Sequence, residues 1–128
     1  MRVLLTVATL WTLGLLAACL VPGERIPEVD IDSFDKLVHV GLFAGFGFLW
    51  LRVAPGRRVT VALYGLALAI LIELLQHGLP IHRSGDALDV VADAVGLALA
   101  LAADAAWRRW RPATRPPGRP ATVPRARP

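Results

Sequence analysis

Residues 59–77 read VTVALYGLALAILIELLQH, an apolar run without proline and without a formal charge until Glu73. At close to the ~20 residues that one α-helix needs to cross the hydrocarbon layer, it reads as a membrane span. Working outward, Val3 to Val21, Leu37 to Ala54 and Ala87 to Ala106 repeat the pattern. Apolar residues make up 55% of the 128-residue chain, more than a small soluble core can cover, so lipid covers the rest. Alternating polar and apolar strands of the barrel kind are absent, and a lipid-exposed segment must satisfy its backbone hydrogen bonds internally. The predicted fold is therefore all-α, a polytopic bundle of four transmembrane helices. Gly41, Gly45 and Gly47 in the second span would weaken a helix in water but are tolerated in a bilayer.

Basic residues orient the spans, because short loops rich in Lys and Arg stay in the cytoplasm. Arg2 precedes the first span, Arg52, Arg57 and Arg58 lie between the second and third, and seven arginines run from Arg108 to Arg127. The opposite connections hold only Arg25, Lys36 and Arg83, beside Glu24, Glu28, Asp30, Asp32 and Asp35. This predicts a multi-pass membrane protein with both termini in the cytoplasm. From residue 107 the composition turns to Arg, Pro, Ala and Thr, so residues 1–106 read as the membrane domain and residues 107–128 as a disordered cytoplasmic tail. The tail's arginines, with Trp107 and Trp110, suit anionic lipid headgroups. No base-reading module accompanies the charge, so nucleic acid is not an expected partner.

Leu16-Ala17-Ala18-Cys19 after an apolar run also matches the pattern cleaved in bacterial lipoproteins. Either Cys19 carries a lipid after cleavage or the segment stays as a span, and the remaining helices keep their direction in both cases.

The polar residues inside apolar segments fall toward the extracytoplasmic end: Asp35, His39, Glu73, Gln76, His77, Arg83, Asp86, Asp89 and Asp93. Ionisable groups are costly in a membrane, so several at one depth point to a shared ligand-binding or proton-relay site. Asp35 and His39 stack four residues apart, Glu73, Gln76 and His77 share a face, and Asp86, Asp89 and Asp93 form a stripe at spacings of three and four. Asp93 lies about 10 Å deeper than Asp86 by helical rise. Asp86 with Asp89 also reads as a helix N-cap, and Lys36 and His82 as solvated loop residues. Gly41 with Gly45, and Ala92 with Gly96 and Ala100, provide small-residue faces that would pack the second and fourth spans and bring His39 to Asp93. Phe43, Phe46, Phe48 and Trp50 read as lipid or core packing. Asp104, near the cytoplasmic end, reads as a partner of Arg108.

The ordered set Asp35-Lys36-Leu37-Val38-His39 with Phe43 and Phe46, then Glu73-Leu74-Leu75-Gln76, then Arg83-Ser84-Gly85-Asp86 leading to Asp89, Asp93 and Gly96, resembles the VanZ-like integral membrane family. The resemblance covers most of the chain except the tail. Its namesake is associated with low-level resistance to the glycopeptide teicoplanin, which implies a role at the outer face of the cell envelope without identifying a reaction. The family commonly carries Asn where this chain has Asp93, which bears on the charge of the pocket because only Asp can lose a proton.

Two classes of function follow. In the first, the pocket binds a cell-wall precursor or other lipid-linked ligand, with Arg83 engaging phosphate or carboxylate and His39 and Glu73 supplying hydrogen bonds or proton transfer. In the second, a small proton-coupled transporter would relay protons through Glu73 and Asp93. A structural membrane subunit is a third reading, with the polar residues locking helices together. No nucleophile motif, phosphate loop or diagnostic metal spacing is present. Ser84 lacks a convincing triad, and His39, Glu73 and Asp89 carry donor atoms without a signature. Catalysis, cofactor and oligomeric state are left open, and no metal is assigned.

Overall fold

The computed structural model describes residues 1–21, 34–80 and 86–110. They form four helices: α1 (Arg2–Cys19), α2 (Phe34–Val53), α3 (Arg58–Gly78) and α4 (Ala87–Trp110). Each is long and apolar enough to cross a membrane. Local chemistry sets their ends. α2 stops before Ala54-Pro55-Gly56, because the residue before proline disfavours helical backbone and Gly56, at φ 90°, makes a turn that needs no Cβ. α3 likewise ends just before Leu79-Pro80. α4 begins after Asp86, whose Oδ1 accepts the Leu88 amide at 2.9 Å, so the N-cap reading of Asp86 holds.

Two boundaries differ from the sequence expectation. α2 starts at Phe34, which places Asp35 in its first turn, as its stacking on His39 requires, and Lys36 there too rather than in a loop. α4 continues to Trp110, so residues 107–110 are helical. An i,i+4 bond from Arg108 to Asp104 supports that last turn, and the first proline comes only at position 112. The remainder of the expected tail, and Arg25, His82, Arg83 and Ser84, lie outside the described residues.

The helices alternate in direction, so one end of the bundle gathers the C-termini of α1 and α3 with the N-termini of α2 and α4. α2 and α4 are thus parallel, and theirs is the most extensive interface. α1 packs on α2, while α3 packs on α4 and α2. Phe43, Phe46, Leu51, Val61, Ala69, Ile72, Leu97 and Ala100 form the core, joined by Leu15 and Cys19 of α1. Leu10, Leu13, Leu63, Leu74, Val91 and Leu99 point outward, an apolar exterior that lipid, not water, must cover.

Small residues decide the close approaches. A Cβ on Gly96 would lie 2.4 Å from the Val40 carbonyl oxygen and 2.9 Å from the Ala44 amide nitrogen. One on Gly47 would lie 2.7 Å from the Ala100 methyl. The expected tight packing of α2 and α4 is present, but its α2 side is formed by Val40, Ala44 and Gly47 rather than by Gly41 and Gly45. Gly45 instead seats the Trp11 indole of α1, 2.3 Å from where a Cβ would stand, while Trp11 Nε1 donates to the Leu42 carbonyl at 3.0 Å. A Cβ on Gly41 would meet nothing within 4 Å outside its own helix. Gly45→Ala is therefore expected to loosen α1, at about 1–3 kcal/mol for overpacking, whereas Gly41→Ala leaves stability unchanged or raises it. Thermal melting in detergent compares the two, and equal effects would contradict the seating of Trp11.

Candidate functional site

At the end where α2 and α4 begin, the first two turns of α2 face the first two turns of α4. His39 and Asp93 meet there. His39 Nδ1 donates to Asp93 Oδ1 at 2.9 Å, with the two residues 1% and 0% exposed. The small residues around Gly96 make this contact possible, since a wider gap between the helices would hold two polar side chains apart. The carboxylate acceptor places a proton on Nδ1 and so orients the ring. Nε2 then points toward Asp89, whose Oδ2 stands 4.0 Å away, beyond hydrogen-bond reach.

Asp89 divides its oxygens. Oδ2 faces His39, while Oδ1 lies 3.4 Å from Lys36 Nζ, and the same ammonium reaches Asp86 Oδ2 at 3.0 Å. Lys36 is therefore the cation that joins the rim of the site to the N-terminus of α4, not a solvated loop residue. The backbone amide of Leu88 and then Lys36 hold the Asp86 carboxyl below its ordinary value of 3.8. Both favour the ionised form. Asp35 is exposed at the mouth, one helical turn above His39. Donor atoms of Asp35, His39 and Asp89 lie within 4.8 Å of one another. The trio that could hold a cation is thus Asp35, His39 and Asp89, without Glu73.

Glu73 approaches from α3. Its Oε1 is buried and has no hydrogen-bond partner among the described residues, and Asp93 Oδ2 is in the same condition. Buried oxygens without donors are costly, and such groups mark places where a ligand, water or ion completes the bonding. Beside Glu73 a cavity of about 270 Å³ opens between α3 and α4, lined by Ile70, Glu73, Leu74, His77, Ala87 and Val90. Its walls are largely apolar and its polar groups are the Glu73 carboxylate and the His77 imidazole, so it can take an amphipathic molecule from the side.

Gln76 departs from the expected face. It is buried, and its Nε2 donates to the Cys19 carbonyl at 2.8 Å, satisfying one of the acceptors that the end of α1 leaves open. It positions α1 against α3, away from the His39–Asp93 pair. His77 is exposed and lines the lateral cavity. Of the eight candidates, Asp35, His39, Asp86, Asp89 and Asp93 gather on α2 and α4, Glu73 faces them from α3, Gln76 turns to α1, and Arg83 lies outside the described residues.

Sequence reasoning missed Lys36 and, at the opposite end, Arg58. Arg58 Nε donates to Asp104 Oδ2 at 2.8 Å and Arg108 Nε to the same oxygen at 2.9 Å, so the expected Asp104–Arg108 pair is present with a second arginine. The signal for Lys36 was its place immediately before the apolar run, where a long side chain can reach across to a neighbouring helix.

No curated protein and no solved structure matches the chain. The VanZ/LLP1 family model matches residues 4–106, a span that takes in the whole acidic end, and the chain belongs to that family.

Proposed function

We propose that this protein is an envelope factor of the bacterial cytoplasmic membrane whose acidic end faces outward and binds a lipid-linked or peptidoglycan-related ligand. The orientation rests on the arginine bias, which keeps both termini in the cytoplasm. The observation that carries the reading is the buried His39–Asp93 pair, with Asp89 beside it and Asp35 and Lys36 at the more exposed end of the cluster. A structural lock would satisfy its own polar atoms, whereas Glu73 Oε1 and Asp93 Oδ2 are left without donors among the described residues.

The charge balance narrows the ligand's chemistry. Among the described residues, Asp35, Glu73, Asp86, Asp89 and Asp93 outnumber Lys36 and His39, so this part of the site favours a partner that donates hydrogen bonds, such as an amine, amide or hydroxyl-rich headgroup. The lateral cavity beside Glu73 gives the lipid portion an apolar wall. Arg83 is the proposed contact for a phosphate or carboxylate on the same ligand, and reduced susceptibility to glycopeptides of the teicoplanin type is the proposed phenotype.

A proton-coupled transporter fits less well. Between Asp93 and Asp104, about 16 Å of helical rise, α4 presents Gly96, Leu97 and Ala100 to Phe43, Phe46 and Gly47, an apolar layer without a polar step.

Susceptibility to glycopeptides and other cell-wall antibiotics, in cells expressing wild type or Glu73→Gln at equal membrane abundance, tests the reading. Wild type is expected to shift susceptibility and Glu73→Gln to lose most of that shift. If Glu73→Gln retains the full shift, the outer pocket is not the site. If it loses abundance instead, Glu73 serves the fold.

A further inference from the structure

The arginine end of the bundle holds a second polar cavity, remote from the His39–Asp93 pocket and independent of its proposed role. The turn between α2 and α3 lies against the last turns of α4 and encloses about 400 Å³, lined by Leu51, Arg52, Pro55, Asp104, Trp107 and Arg108. Asp104 is the acid of this cavity and is shared: Arg58 and Arg108 both bond to its Oδ2 through Nε, at 2.8 and 2.9 Å. One carboxylate facing two guanidiniums leaves a net positive charge, and Arg52 adds a second.

Arg52 is held differently from the other two. Its guanidinium carbon lies 4.7 Å from the Phe48 ring centre and 5.6 Å from that of Trp107. Among the described residues its partners are these rings rather than a carboxylate. Stacking on ring faces fixes the guanidinium plane and leaves its N–H edges available, the arrangement that suits bidentate recognition of a phosphate. The two rings are themselves half-exposed on the apolar exterior, and Trp110, one turn beyond, is 86% exposed. Aromatic side chains placed this way mark the membrane–water interface.

We propose that this cavity binds the phosphate of an anionic phospholipid. Arg52 and Arg108 donate to the phosphate oxygens, and the acyl chains run along Phe48 and Trp107. The lipid source is favoured over a free anion because the phosphate-binding edge and the lipid-facing rings are contiguous. Two positive charges in excess match a headgroup with two phosphates better than one with a single phosphate, and basic clefts between membrane helices are suited to such lipids.

The test measures cardiolipin retained by the full-length protein in native mass spectrometry, for wild type, Arg52→Gln, Arg52→Lys and Arg57→Gln. Arg57 carries the same charge in the same turn but is exposed and does not line the cavity, so it controls for general surface charge. Arg52→Gln is expected to weaken retention about tenfold, the scale of one lost charge-assisted hydrogen bond, and Arg57→Gln by less than about twofold. Arg52→Lys keeps the charge, loses the planar fork and is expected to fall between wild type and Arg52→Gln, so the comparison survives even if Arg52→Gln fails to fold. Unchanged retention in both Arg52 variants would overturn the proposal. So would equal losses in Arg52→Gln and Arg57→Gln, which indicate diffuse charge attraction, or displacement of the lipid by an equal concentration of inorganic phosphate, which indicates a soluble anion.

Discussion

Gly96→Val is expected to remove most folded protein from the membrane. A Cβ at position 96 would meet the Val40 carbonyl oxygen at 2.4 Å, the Ala44 amide nitrogen at 2.9 Å and the Phe43 Cβ at 3.1 Å. The two nearest atoms are backbone of α2, so no side-chain rotation relieves the contact and the helices must separate. Overpacking costs typically about 1–3 kcal/mol, and the upper end or more applies here because the contact lies in the middle of the largest interface. Separation also pulls His39 from Asp93, one turn toward the acidic end, so the packing and polar losses add. Fluorescence-detected size-exclusion chromatography of the solubilised protein reads the result. A monodisperse Gly96→Val peak with wild-type yield and melting temperature would contradict the α2–α4 geometry.

Asp93→Ala is expected to cost about 2–5 kcal/mol, whereas Asp93→Asn costs less than about 1 kcal/mol. Alanine removes the acceptor of the His39 Nδ1 proton and strands a ring that is 1% exposed. Asparagine keeps an oxygen in the same place, removes the charge and puts an amide NH2, a donor, where Oδ2 stood. The hydrogen bond alone would contribute about 1 kcal/mol in a membrane, so most of the alanine effect is the cost of leaving a buried polar group unpaired. Melting in detergent separates the two variants, and similar losses would mean that the charge on Asp93 dominates over the bond. Combining each with the antibiotic assay adds information, since a stable Asp93→Asn protein that no longer shifts susceptibility would assign a functional role to the carboxylate, through its charge or its Oδ2 acceptor.

Particular residues show how far the chain could be read from its pattern. The meeting of His39 and Asp93 was legible because Ala92, Gly96 and Ala100 place a smooth face on the same helix as Asp93. The partner face on α2 was read wrongly. Gly41 and Gly45 form an equally good motif on paper, yet Gly45 receives Trp11 of α1 and the Cβ direction of Gly41 faces open space. In lipid, residues facing a neighbouring helix and residues facing acyl chains are both apolar, so composition does not reveal which stripe of a helix has a partner. Gln76 was misassigned for a related reason. Its spacing from Glu73 puts both on one broad face, but the broken end of α1 offers Gln76 an open carbonyl that the sequence of α3 does not contain.

The sequence by itself determined the four spans, their limits to within a few residues and the end of the helices at which the polar groups lie. Those properties are local: each backbone must close its own hydrogen bonds in lipid, and hydrocarbon thickness sets how many apolar residues that takes. Only the tertiary structure decided which polar groups share a bond. Lys36 bridging Asp86 and Asp89, and Arg58 joining Arg108 on Asp104, depend on long side chains reaching between helices. So does Arg52 lying between Phe48 and Trp107, where contact follows from helix rotation and separation, set by shape at a few small residues such as Gly96.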